Sequence, residues 1–389
     1  MVQTPVKVRR LFLSPAWLMF SLPGYIGWRL LSAFPLPPWG IALSLAALIA
    51  ACFVVPMSVR TRVLADRVWA DRVAWLGLTA LGFFSSLFVF TVLRDVLLLV
   101  VRLVAGPREH AWSEPSAIFT LLVTLLVTAI GMIVARGRPR IVRVEIPVMN
   151  LPERLRGFSI AQISDVHVGP TIKRPFVEQI VERVNALGAD MIAVTGDLVD
   201  GSVAQLAAHT APLANLRARH GAFFVTGNHE YYSGARAWSS ELRRLGVRVL
   251  ENEHVVLQHN GAALVLAGVT DFTAHHFDPA QKSDPAAAIQ GAPAAAGAKI
   301  LLAHQPNSAE AAARAGFDVQ LSGHTHGGQF WPWNLFVGFF QPFTGGLHRL
   351  RNLWIYVSRG TGYWGPPNRF GVPSEITHIR LVPAQPAVA

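Results

Sequence analysis

Two histidines stand one residue apart in LSGHTHGGQF (321–330), among glycines and hydroxyl groups. Alone, His324 and His326 could equally be loop polar groups or metal ligands, so the answer rests on partners elsewhere. The chain supplies SDVH (164–167), GDLVD (196–200), GNHE (227–230) and a single His304 closing KILLAH (299–304). Collected, Asp165, His167, Asp197, Asn228, His229, His304, His324 and His326 offer imidazole, carboxylate and amide oxygen without thiolate. That donor set suits Mn, Fe or Zn rather than a zinc–thiolate structural site. Seven ligands are too many for one tetrahedral ion and suit two divalent or trivalent ions sharing a bridging carboxylate. If Asp165/His167 and His324/His326 lie on extended backbone, each pair aims both members to one side. The one cysteine, Cys52, excludes a disulfide framework.

Elements must bring these groups together. FSIAQIS (158–164), MIAVTGD (191–197) and AFFVTGN (222–228) are short apolar runs that lead into polar turns. LVLAGV (264–269), KILLAH, DVQLSG (318–323) and LWIYVS (353–358) form a second group, and IVRVEIPV (141–148) alternates like an edge strand. Helical periodicity fills 175–187, 203–217 and 236–245, so strands alternate with helices as in βαβ units with a largely parallel sheet. In such sheets the strand C-termini open on the ligand crevice, where clusters distant in sequence can meet. The Ala/Pro/Gly-rich stretch 279–298 is expected to be a surface loop.

The N-terminal part differs. The chain is 52% hydrophobic and only 15% charged, too apolar for an ordinary soluble enzyme. Uncharged runs predict about four transmembrane helices near 11–31, 38–58, 73–93 and 115–135 within a region 1–140. Residues 1–150 carry 15 Lys/Arg and 6 Asp/Glu, so 15 − 6 = +9 of the net +11 lies there, and residues 151–389 are near neutral. The basic excess therefore speaks for membrane orientation and not for nucleic acid. Lys7, Arg9, Arg10, Arg60, Arg62, Arg67, Arg72, Arg136, Arg138, Arg140 and Arg143 fall on one side. Arg29, Arg94, Arg102 and Arg108 fall in the opposite loops. That distribution puts both ends in the cytoplasm.

The motifs SDVH, GDLVD, GNHE, the lone His304 and GHTH resemble, in order and chemistry, those of the calcineurin-like metallophosphoesterase superfamily. The ending VSRGTGYWGPPNRFGVPSEIT (357–377) is similar to its bacterial membrane-anchored branch. The resemblance covers about 150–380 and implies an α/β fold, four-layer αββα with two packed sheets, over a domain 141–389. It also implies Asp165, His167 and His326 at one metal, Asn228, His304 and His324 at the other, and Asp197 bridging. His229 is then the general acid for the leaving oxygen, with Glu230 or Asp200 orienting its ring. The implied activity is phosphodiester or pyrophosphate hydrolysis at a bacterial inner membrane, the catalytic domain being cytoplasmic.

Other readings remain open: a non-catalytic metal-binding membrane scaffold or regulator, a hydrolase of soluble nucleotides, or a transporter with a regulatory domain. FWPWNLFVGFFQPF (330–343) has seven aromatic rings and no charge. It is either a core strand with a turn or a loop at the bilayer surface, the latter favouring a lipid-linked phosphoester. Some relatives in the superfamily cleave the lipid A precursor UDP-2,3-diacylglucosamine, which makes it a candidate. The adjacent His275 and His276 could reach a substrate or be ordinary loop residues.

Overall fold

A computed structural model describes residues 15–60, 67–106 and 109–384, which divide into two compact units, Met1–Thr128 and Ala129–Ala389. Lys7, Arg9, Arg10, Arg62, Arg108 and residues 11–14 of the expected first span lie outside the described residues.

The first unit holds α1 (Pro15–Leu31), α2 (Pro38–Val59), α3 (Arg67–Ala105) and most of α4 (Glu109–Arg136). Within α2 and α4, Pro38–Ser58 and Ala111–Arg136 are long and apolar enough to cross a bilayer, with mean hydropathy of 2.3 and 2.6. Only 11% and 33% of those stretches is buried, the reverse of a soluble core helix. Phe53, Leu122 and Phe119 accordingly point outward. The expected loop after residue 93 is absent, because α3 runs on for 39 residues. No Gly or Pro interrupts RDVLLLVVRLVA (94–105), so nothing there stops a helix. Arg94 and Arg102 are thus helical, and Arg29 is the basic residue in the last turn of α1. Arg29 does not face solvent as a loop cation would: its Nε and Nη2 donate to Asp95 at 2.7 and 2.9 Å. Buried Arg94 donates to Ser116 Oγ and Ser113 O, each at 2.9 Å. Charges in an apolar unit persist when paired in this way.

In the second unit the strands are β1 (Arg140–Val148), β2 (Ser159–Ile163), β3 (Met191–Val194), β4 (Ala222–Phe224), β5 (Arg248–Val249) and β6 (Glu253–His259). They continue with β7 (Ala262–Gly268), β8 (Ala298–Leu302), β9 (Val319–Ser322), β10 (Gly346–Leu350), β11 (Leu353–Val357) and β12 (Glu375–Pro383). They form two six-stranded sheets, β1-β12-β2-β3-β4-β5 and β10-β11-β9-β8-β7-β6. β1 is an edge strand, as its alternation requires, whereas every residue of β2 and β3 is buried. Continuous apolar runs read this way because parallel strands are covered on both faces.

One core lies between the sheets, where Ile160, Met191 and Phe223 meet Leu264, Ile300 and Leu321. A second packs Val177, Ile180 and Val184 of α5 (Arg174–Asn185), with Trp238 and Leu242 of a later helix, on the first sheet. A third packs Ala309 and Ala312 on Leu301 and Ile355 of the second sheet. Two sheets packed face to face and covered by helices are the expected αββα layers. The helix expected over 203–217 ends earlier: α6 spans Val203–Thr210, and Pro212 then favours a 3₁₀ turn, Ala211–Asn215. Residues 279–298 are not loop throughout. Asp284 caps a short helix, Pro285–Ile289, by accepting from the Ala286 and Ala287 N–H groups.

Candidate metal centre

All the polar clusters emerge at strand C-termini of the two sheets and converge. Asp165 and His167 follow β2, Asp197 and Asp200 follow β3, Asn228 and His229 open a short helix (α7, Asn228–Ser233) after β4, His304 follows β8, and His324 and His326 follow β9. The expectation of extended i, i+2 pairs fails here. Asp165, His167, Asp197, His324 and His326 have φ between 51° and 71°, in the left-handed region. Such backbone costs a non-glycine residue on the order of 1–3 kcal/mol and persists only where surrounding contacts impose it. Those contacts are visible: Asp165 N–H donates to Gly196 O at 3.0 Å and His167 N–H to Asp197 O at 3.1 Å. Two motif glycines are required by close approach. A Cβ on Gly227 would collide with the Asp197 carboxylate, and one on Gly323 with Ser164 and Asp165.

Three groups of buried or half-buried ligand atoms result: Asp165/His167/His326, His167/Asp197/His229 and Asp197/His304/His324. Asp197 belongs to two of them and so joins the ends of the site. His304 Nδ1 lies 2.8 Å from Thr195 O and donates to it, which turns Nε2 into the site. That Nε2 faces Asp197 Oδ2 at 3.1 Å and His324 Nδ1 at 3.2 Å. Likewise His167 Nδ1 lies 3.2 Å from Asp200 Oδ2, while its Nε2 is 3.1 Å from His326 Nε2. Asn228 Oδ1 is buried and has no hydrogen-bond partner. Ring nitrogens and carboxylates turned on one another around an orphaned amide oxygen are the donor chemistry of a cation site, so the residues present fit a metal centre.

The electrostatics agree. Burial, with the charge of Arg369, holds His326 well below the ordinary imidazole range, and burial with His304 lowers His324 to about 4. Both rings are therefore neutral, the form that binds metal. Burial opposes charge on His304, yet the adjacent Asp197 carboxylate raises it well above its usual value. For His229, burial is outweighed by the charge of Asp197 and the Asp200 hydrogen bond, and its pKa rises to about 9.

Of the two acids expected to orient His229, Asp200 does so: its Oδ1 is 2.5 Å from His229 Nδ1. Glu230 instead accepts the N–H groups of Gly227, Asp197 and Leu198 at 2.6, 3.0 and 2.8 Å. It holds two motif turns in register from below. Burial and the Asp197 charge still push it up to about 8. His275 and His276 lie outside the cluster, on an exposed 3₁₀ turn with their rings 4.1 Å apart.

Several contributors escaped the sequence reading. Both carboxylate oxygens of buried Asp271 accept from Gln305 Nε2, each at 3.0 Å, and GVTD (268–271) has the same strand-then-polar pattern as the motifs used. Buried Arg369 donates to the carbonyls of Gly362, Arg359 and His326 and carries no signal of its own beyond the ending motif. Tyr232 and Trp364 stand edge-on to His229, with centroids 5.2 and 5.6 Å away.

Residues 158–328 match the calcineurin-like phosphoesterase family. The chain is similar to a "transmembrane protein with metallophosphoesterase domain" of Danio rerio, at 35% identity over 323 residues, 79% of this chain and 74% of that one. Its counterpart from Bos taurus is 38% identical over 273 residues, 67% of this chain and 61% of the relative. An "uncharacterized metallophosphoesterase" of Helicobacter pylori is 39% identical over 256 residues, 64% of this chain and 66% of the relative. The chain thus spans under two thirds of the length of the cattle and Helicobacter relatives.

Proposed function

This chain belongs to the calcineurin-like phosphoesterases and is a metal-dependent phosphoester hydrolase, and from that premise we propose that it is a dinuclear phosphodiesterase or pyrophosphatase acting on an amphiphilic phosphoester at a membrane. The observation that carries the dinuclear reading is Asp197, the carboxylate shared by two ligand groups, together with the buried, unpartnered Oδ1 of Asn228. Asp165, His167 and His326 would hold one ion, Asn228, His304 and His324 the other, and Asp197 would bridge. Mn, Fe or Zn each suit these donors. Ions bound there supply neutralisation of phosphate oxygens and a lowered pKa for the attacking water.

The chain's own part in the reaction is proton delivery and positioning. His229, protonated at neutral pH, donates from Nε2 to the departing oxygen. Asp200, hydrogen-bonded to Nδ1, fixes the ring and stabilises its cationic form. A scaffold would have no use for this His–Asp pair, which favours catalysis over the non-catalytic reading.

The membrane reading rests on the apolar helices of the first unit and on the aromatic segment. The segment is no core strand: it forms a short helix, Trp333–Phe336, and then a 3₁₀ turn, Val337–Phe339. Phe339 and Phe340 are 80% and 81% exposed, a surface that suits a headgroup region rather than water. Replacing both by Ser is expected to spare hydrolysis of a small chromogenic phosphodiester and to lower activity on vesicle-borne phosphodiester lipid several-fold. Equal activity on both substrates would remove the membrane approach from the proposal. We further propose four spans in the inner membrane of a bacterium, with the second unit in the cytoplasm, from the excess of basic residues on that side. A C-terminal reporter active only outside the cytoplasm should stay silent, and a bright signal would reverse the orientation.

A further inference from the structure

The second unit contains another cleft, of about 480 Å³, lined among others by Arg140, Asn334, Thr344, Arg359, Ser374 and Glu375. It adjoins the metal centre through Gly327, which follows His326, but none of the proposed metal ligands lines it. Its charges do not cancel. The Glu375 carboxylate is already engaged by Tyr356 Oη–H at 2.8 Å, by the Arg359 N–H at 3.1 Å and by the Arg359 guanidinium at 3.2 Å. Arg140 makes no side-chain hydrogen bond or ion pair among the described residues. Ser374 is only 2% exposed, yet its Oγ lacks a partner, and so does the buried Oδ1 of Asn334. The exposed Arg140 guanidinium meets no carboxylate among the described residues, and the buried Ser374 hydroxyl meets no acceptor. An anion with several oxygens satisfies both.

We propose that this cleft is a second anion site that binds a phosphate group. Arg140 and the free edge of Arg359 supply the charge, the Ser374 hydroxyl donates from below, and Asn334 donates once its amide is turned. Phosphate is favoured because its oxygens point in several directions, whereas these donors come from more than one wall. The volume is several times that of phosphate alone and lies in the range of small-molecule pockets, so the group is carried on a larger molecule. Two sources share that chemistry, a phospholipid headgroup and a soluble phosphoester. Asn334 lies in the aromatic segment and Thr344 directly follows it, so a lipid bound here would have exposed Phe339 and Phe340 on the same segment.

The metal centre would itself take phosphate and a phosphodiester lipid, so the test reads the difference in binding between the wild type and a cleft variant whose metal ligands are intact, and it stands or falls separately from the hydrolytic assignment. Full-length, metal-loaded protein in detergent is titrated with phosphatidylglycerol and followed by native mass spectrometry. Inorganic phosphate is titrated in parallel and followed by thermal shift. Arg140→Gln/Ser374→Ala is compared with the wild type at matched metal content and melting temperature. Arg140→Gln alone serves if the double variant does not fold, since that side chain is exposed. A charge-assisted hydrogen bond lost from such a site weakens binding by roughly tenfold or more. Loss of the lipid adduct identifies the headgroup as the source, and loss of the phosphate-induced shift identifies a soluble phosphoester. Equal binding of both ligands by wild type and variant overturns the proposal.

Discussion

Asp197→Asn is expected to abolish hydrolysis while leaving the fold in place. Asp197 is 2% exposed and its two oxygens have different tasks. Oδ1 accepts the His229 N–H at 2.8 Å, and Oδ2 faces His304 Nε2 at 3.1 Å. An asparagine keeps the first bond with its carbonyl oxygen. Its NH₂ group then confronts His304 Nε2 and cannot ligate a cation, and the negative charge between the two ion positions is lost. Metal content should fall from about two per chain to about one or fewer. The rate should drop by more than the roughly 10²–10³-fold that follows removal of a single electrostatic contact in other active sites. Elemental analysis of chelator-treated and reloaded protein, paired with a chromogenic assay, checks both. Full metal content with full activity would falsify the bridging assignment.

His229→Gln should behave differently. The ring lies near Asp197 Oδ2, 4.0 Å away, but its firm partner is Asp200. Removing it should therefore leave the metal content near two per chain and lower turnover by about 10²–10⁴-fold, the usual worth of a general acid. The loss should depend on the leaving group. A substrate releasing p-nitrophenolate needs little proton donation, whereas one releasing an alkoxide needs it fully. A linear free-energy plot across such a series, steeper in the variant than in the wild type, is the expected signature. Parallel plots would assign His229 a binding role and transfer the acid role elsewhere. The charge of Asp197 and the Asp200 hydrogen bond, which keep the imidazole protonated to about pH 9, make the acid available at neutral pH.

Much of the architecture was legible because its signals are local. β2, β3 and β4 are unbroken apolar runs that end abruptly in polar residues, and a strand covered on both faces leaves that imprint. β5, with two residues, and β10, with Gly346, His348 and Arg349, leave no such imprint and were missed. Their place comes from hydrogen bonds to β4 and β11. The aromatic segment was ambiguous for a related reason: seven rings suit a core or a bilayer surface equally well as a composition. Only the exposure of Phe339 and Phe340 separates the two.

By itself the sequence determined which residues form the candidate site, since donor type and position after an apolar run are properties of the chain read in order. Asp165, His167, Asp197, Asn228, His229, His304, His324 and His326 all emerged that way, and all converge. Tertiary structure alone decided how each is presented. Five of them take left-handed backbone, uncommon even for Asp and His, and Asp165 and His167 are held there by hydrogen bonds to a loop 30 or more residues away. The division of labour between the two acids was settled the same way. Glu230 lies in the first turn of α7, which points it at three backbone N–H groups, and Asp200, on the loop after β3, is the one that reaches both His229 and His167. Side chains of equal charge became a brace for backbone N–H groups and a hydrogen-bond partner for two histidines because burial and contact geometry, unlike residue type, are set by elements far away in the chain.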